Sequence, residues 1–231
     1  MSIKILNTDC SGLYVGNQEA YKAYLGSTLV YSKELPNVSY LCNYNAKNFN
    51  AATQTFVKTT GQTFAYDLTN NAGNTGYTYS VSGGCVTLDG RYAFSNTFAD
   101  ANSNPFNVAA GDSQITIIYK AGFDTALDYM FENTDNLYLY KDAIRTTNNY
   151  QLTVNVPANT PATVVLRIDS SGNGERKYIE GGVSTTAALT LASAGDTVKF
   201  FKDFSGDFYW FFASREYLTD AQVAEVIAYN G

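Results

Sequence analysis

Five consecutive aromatic side chains, Phe208-Tyr209-Trp210-Phe211-Phe212, do more than any other run to limit what this chain can become. Successive side chains of an extended strand point to opposite faces, so this run is apolar on both. Such a strand belongs in the middle of a sheet, covered on each side. Other runs alternate. In Ile115-Thr116-Ile117-Ile118-Tyr119, positions 115, 117 and 119 share one face; Val164, Leu166 and Ile168 do the same, with Arg167 opposite. Cys85-Val86-Thr87-Leu88 reads as a strand turning at Asp89-Gly90 into Arg91-Tyr92-Ala93-Phe94. Turn signals recur at Gly111-Asp112, Ser171-Gly172-Asn173-Gly174, Gly195-Asp196 and Ser205-Gly206-Asp207. Many short strands at this spacing predict a mainly β, two-sheet antiparallel jelly-roll sandwich.

The end of the chain changes period. Thr219-Asp220-Ala221-Gln222 has the form of a capping box, with Leu218 placed to staple onto Val223. Val223, Val226 and Ile227 form one stripe, and Asn230-Gly231 ends a short C-terminal helix. Between Asn37 and Tyr79 the pattern is fainter, with short strands expected at Val38-Ser39-Tyr40-Leu41 and Thr63-Phe64-Ala65-Tyr66 and a loop at Asn70-Asn71-Ala72-Gly73-Asn74.

The first residues read differently. Leu13-Tyr14-Val15-Gly16, Ala23-Tyr24-Leu25-Gly26 and Thr28-Leu29-Val30-Tyr31 are short strands with glycine turns. A unit of this size buries too little apolar surface to stand alone, so it must dock on something. Lys33-Glu34-Leu35-Pro36-Asn37 marks the boundary, which divides the chain into a small N-terminal β unit at 1–35 and a sandwich at 36–231. Tyr14, Tyr21, Tyr24, Leu25, Leu29 and Tyr31 are the docking candidates.

Composition narrows function. The chain has 231 residues, enough for one sandwich and an appendage, with a net charge of -6. Arg176-Lys177 is the only adjacent basic pair, which speaks against nucleic acid. No apolar run approaches the roughly 20 residues that span a bilayer, and Met1-Ser2-Ile3-Lys4-Ile5 lacks a leader's apolar core. Synthesis in a cytoplasm is expected, and Cys10, Cys42 and Cys85 read as reduced thiols.

No histidine is present, which removes His-dependent nucleophile pairs and His metal sites. No glutamate has a carboxylate two residues away, the spacing that puts two acids on one strand face. A non-enzymatic protein without cofactor follows. Asp169, Ser171, Asn173, Gly174 and Glu180 fall on positions of a calcium-loop template, but they lie between strand patterns and also suit a tight hairpin, the preferred reading. Sugar sites set aromatics beside Asn and Asp; Tyr77 and Tyr79 beside Asn74, and Tyr150 beside Asn148-Asn149, are the candidates, against a background of 19 tyrosines.

From Asn37 onward the chain resembles a laminin-G-like domain of the concanavalin A superfamily. The resemblance is carried by Val86-Thr87-Leu88-Asp89-Gly90 before the strand at 115–119, by the hairpin from Val164 to Gly182, and by the closing phrase from Phe208 through Tyr229. Independently, Tyr14-Val15-Gly16 and Tyr21-Lys22-Ala23-Tyr24-Leu25-Gly26-Ser27-Thr28-Leu29-Val30-Tyr31 are similar to the short N-terminal unit of tailed-bacteriophage virion proteins. That second resemblance implies a head or tail fibre or capsid decoration protein, located in the virion. Its partners would be other virion proteins and copies of itself, with surface glycans as a further target. The alternative is a soluble lectin-like module with no virion role; a sandwich hydrolase is the third.

Overall fold

A computed structural model describes residues 38, 40–59, 62–64, 66–69, 78–89, 94–108, 114–125, 129–134, 137–146, 149–191 and 195–231. It also gives the backbone, but not the side chains, of 13–15, 18–20, 22–25, 28–32 and 150. The first strands form two hairpins: β1 (Leu13–Val15) with β2 (Gln18–Ala20), and β3 (Lys22–Leu25) with β4 (Thr28–Ser32). Then come β5 (Tyr40–Asn45), the short β6 (Phe49–Asn50), β7 (Thr55–Phe56) and β8 (Leu68–Thr69), β9 (Tyr79–Ser82), β10 (Cys85–Asp89) and β11 (Phe94–Thr97). The longer strands follow: β12 (Ile115–Phe123), β13 (Tyr129–Asn133), β14 (Leu137–Tyr140), β15 (Ile144–Thr146), β16 (Asn149–Gln151) and β17 (Ala162–Ile168). β18 (Asn173–Tyr178), β19 (Val183–Ala188), β20 (Thr197–Asp203), β21 (Ser205–Ser214) and the helix α1 (Asp220–Asn230) complete the chain.

Two antiparallel sheets form the sandwich. The larger runs β19-β18-β17-β12-β21-β10-β9, and the smaller β11-β20-β13-β14-β15-β16. β21 is the keystone. One edge pairs with β12 along most of its length; the other pairs with β10 through Ser205–Phe208 and with β5 through Trp210–Ser214. The bulge between Lys120 and Ala121 skips Tyr209 and resets the pleat there. Gly206 sits at φ +134°, and a Cβ there would approach the Gly122 carbonyl oxygen to 1.9 Å, so the hairpin into β21 admits only glycine.

Alternation sorts side chains as the sequence predicts. Ile115, Ile117, Tyr119, Val164, Leu166, Ile168, Phe208 and Phe211 fill the space between the sheets. They meet Phe131, Val198 and Phe200 of the small sheet, with Phe211 5.2 Å from Phe200 and 5.6 Å from Phe131 between ring centroids. Ile118, Val165, Trp210 and Phe212 point the other way, where Leu218, Val223 and Val226 cover them. The aromatic run is thus buried on both faces because α1 roofs the outer one. The capping box is present: Thr219 Oγ1 accepts from the Gln222 N–H, and the Gln222 side chain accepts from the Thr219 N–H. Arg167 clamps the roof down, with Glu175 at 2.5 Å, Asp220 at 2.7 Å and the Leu218 carbonyl oxygen at 3.0 Å.

Two expectations change. No strand forms over Thr63 and Phe64; the chain there makes two backbone bonds to β5, at Tyr40 and Leu41, and the Gln62 side chain supplies the rest. β5 begins at Tyr40 and runs through Asn45, further than the expected Val38–Leu41. No helix among the described residues is long and apolar enough to cross a membrane.

Candidate functional site

The outer face of the large sheet is only partly roofed. Because Trp210 pairs with Asn45 and Phe212 with Asn43, those two asparagines of β5 share the outer face with the aromatic run. Lys120 lies beside Trp210 on the other flank. α1 ends over this corner, and a cleft opens between its last turn and β5. The larger lobe, about 450 Å³, is lined by Asn43, Asn45, Lys47, Thr59, Tyr229 and Asn230 among others. The smaller, about 170 Å³, lies over Lys120, Tyr209 and Trp210 under the Gly83-Gly84 turn, and shares Asn45, Lys47 and Asn230 with the first.

Local bonds fix the walls. Asn45 Nδ2 donates to the Asn230 carbonyl oxygen at 3.2 Å, its Oδ1 accepts from the Lys47 N–H at 2.9 Å, and Lys47 Nζ donates to the Gly231 carbonyl oxygen at 2.7 Å. Thr59 Oγ1 donates to the Asn43 carbonyl oxygen at 2.7 Å. Lys120 Nζ stands 5.4 Å above the Tyr209 ring. Burial, and then the neighbouring Cys85 and Asp207, push the Tyr209 phenol up to about 12, so it stays a neutral donor.

Two groups in these walls lack partners. Asn43 and Trp210 are each 2 % exposed, and neither Asn43 Oδ1 nor Trp210 Nε1 has a hydrogen bond among the described residues. An unsatisfied buried polar atom costs about 1–3 kcal/mol. One is an acceptor and one a donor, and they belong to adjoining lobes of one cleft. With amides, a hydroxyl, ammonium groups and a half-buried phenol around them, the cleft suits a small polyhydroxylated ligand.

None of the residues expected from sequence is among those lining this cleft. The side chains of Tyr14, Tyr24, Leu25, Leu29 and Tyr31 are outside the described residues, as is Tyr21; on the backbone, Tyr24 is paired with Leu29 and Tyr14 with Glu19. Tyr77, Asn74, Asn148 and the Tyr150 side chain are likewise outside. Tyr79 is half-buried, packed edge-on to Phe49 at 5.5 Å, with its hydroxyl donated to the Ala51 carbonyl oxygen. The calcium template does not assemble. Asp169 closes the β17–β18 turn by accepting from the Ser171 and Asn173 N–H groups. Glu180 sits at the far end of β18, bound to Thr163. Among the described residues no group of three or more His, Cys, Asp or Glu gathers as a metal site.

One acidic cluster was not foreseen. Glu132, buried on the outer face of the small sheet, accepts from Lys199 Nζ at 2.6 Å and from the Tyr129 hydroxyl at 3.2 Å, with Lys202 at 3.8 Å. Burial, then Asp203 and Glu132, push the Tyr129 phenol far up. A phenol held protonated is a poor nucleophile. The cluster is built as an ion-paired support.

No protein-family model matches the sequence, and comparison with curated proteins gives no match. Solved structures share the fold. The receptor-binding domain of botulinum neurotoxin D superposes with a TM-score of 0.54 at 10% identity, over 82% of this chain and 53% of that one. The serotype D domain in complex with N-acetylneuraminic acid gives 0.50 at 11%, over 83% and 50%. Trypanosoma rangeli sialidase gives 0.50 at 9%, over 84% and 33%. The chain therefore spans about half the length of the toxin domains and a third of the sialidase. The class is that of β-sandwich domains of jelly-roll type; at these identities the likeness defines the fold.

Proposed function

We propose that this chain is a non-catalytic attachment module whose sandwich binds glycans through the cleft beside the end of α1. The observation that carries the reading is the unpartnered pair, Asn43 Oδ1 and Trp210 Nε1, on two residues that line a cleft whose other walls bring together amides, hydroxyls, aromatics and the ammonium groups of Lys47, Lys58 and Lys120. The serotype D toxin domain that holds N-acetylneuraminic acid lends support as a fold neighbour.

The N-terminal segment supports a second layer of the proposal. Its strands pair only with one another among the described residues, as a docking tag separate from the sandwich would. Its resemblance to phage virion units makes the larger body a tailed-phage particle, so the chain would sit on the virion and present the sandwich outward.

Screening the whole chain against a glycan array, followed by titration using the fluorescence of its one tryptophan, tests the first layer. Ala228 lies exposed on the cleft rim. Ala228→Arg should weaken glycan binding at least about tenfold, near 1.4 kcal/mol, and leave thermal unfolding unchanged. No binding to any glycan, or binding indifferent to Ala228→Arg, would overturn it.

A further inference from the structure

Among the described residues the large sheet ends at β19, Val183-Ser184-Thr185-Thr186-Ala187-Ala188. Sheet edges in soluble proteins are normally blunted by charge, proline, a bulge or a covering segment. β19 carries no charge and no proline, pairs with β18 over six residues without a register shift, and is exposed at five of them. The other strands at the ends of the two sheets, β9, β11 and β16, are only four, four and three residues long.

The phase of the edge is fixed. The Leu189 N–H donates to the Gly172 carbonyl oxygen at 2.9 Å, and antiparallel pairs alternate from there. Val183, Thr185 and Ala187 therefore turn their backbone groups toward β18. Ser184, Thr186 and Ala188 turn theirs outward, where no strand pairs with them among the described residues.

We propose that β19 is the seam of a homodimer, two copies pairing antiparallel about a two-fold axis at Thr185 so that their large sheets become one. Ser184 of each copy then faces Thr186 of the other, and each such pair exchanges two backbone hydrogen bonds. Within one copy Lys177 pairs with Ser184 and Glu175 with Thr186. Across the seam each outer-face row therefore reads Lys177, Ser184, then Thr186 and Glu175 of the second copy. Charges of opposite sign, Lys177 and the Arg167-held Glu175, close each row around two small side chains. The two-fold axis turns one row into the other so that both are satisfied alike, which favours a second copy over an unrelated strand. On the opposite face Val183, 49 % exposed, meets Ala187 of the second copy and loses its contact with water.

Sedimentation equilibrium of the full chain should give twice its 25.2 kDa mass. Thr186→Pro removes an outward N–H and keeps the ladder to β18; it should leave folding intact and give a monomer. In Thr185→Cys the facing Cα atoms fall within disulfide reach, so mild oxidation should cross-link the dimer, whereas Ser184→Cys should not. A monomeric wild type, a dimer that survives Thr186→Pro, or cross-linking at 184 but not at 185 overturns the proposal. None of these readouts depends on glycan binding.

Discussion

Asp169 shows how much of this structure rests on single side chains serving the backbone. Its carboxylate takes the Asn173 side-chain amide and then the N–H groups of Asn173, Ser171 and Gly172, which hold its pKa below the ordinary 3.8. A lowered folded-state value means the unfolded chain takes up the proton first as pH falls. The stabilisation is complete above the ordinary carboxylate value and shrinks as pH drops through it toward the folded one. Asp169→Asn should therefore lose less of its urea midpoint than wild type between about pH 5 and about pH 3. An equal loss in both would show that the turn does not depend on the charge. Asp100, capping the short turn at Ala101–Ser103 in the same way, keeps part of the acid sensitivity in either protein. Residues of another kind are stranded: Arg176, 1 % exposed between the sheets, donates through Nη2 to the Tyr119 hydroxyl and to the carbonyls of Tyr140 and Lys141. Its Nε and Nη1 have no partner among the described residues.

Among the elements, α1 is both well specified and held down from outside. Thr219→Ala should cost about 1 kcal/mol, the usual worth of an N-cap. Arg167→Ala should cost about 2 kcal/mol, since it frees Glu175, Asp220 and the Leu218 carbonyl oxygen together. Calorimetry checks both as falls in Tm of about 2–4 °C per kcal/mol for a chain of this size. An Arg167→Ala loss no greater than that of Thr219→Ala would mean that the helix is held by its apolar stripe alone. This helix could be read from sequence because its code is local: cap, staple and stripe lie within twelve consecutive residues. β12 and β17 were legible for the same reason, through alternation. β5 was not, because Asn43 and Asn45 put polar groups where an apolar face is expected, and only the end of α1, far along the chain, explains them. The segment at Thr63 and Phe64 has strand-like composition, yet the Gln62 side chain supplies bonds a neighbouring strand would otherwise make. The cleft escaped detection because its walls come from six separated stretches. Its one sequence signal was the Asn-x-Asn spacing in β5.

For the molecule as a whole, most of the described aromatic side chains point inward. Among the described residues Tyr66 and Tyr217 are the only strongly exposed aromatics. If the first hairpins form a docking unit, removing residues 1–35 should leave a sandwich whose Tm lies within a few degrees of the full chain and which no longer joins particles. A truncated chain that fails to fold would make those hairpins part of the sandwich itself.

The pairing of β5 with β21 sets the pace at which all this can be assembled. Asn45 finds its partner in Trp210 and Tyr40 in Ser214, so the earliest strand of the large sheet waits for the latest. Closing a loop of that span must precede the contacts that reward it, which places such chains among slow folders. On the ribosome, Leu41 and Tyr44 emerge long before the strand that will bury them. A long-lived, unpaired β5 is then the point at which a crowded cell, or a chaperone, meets this protein first.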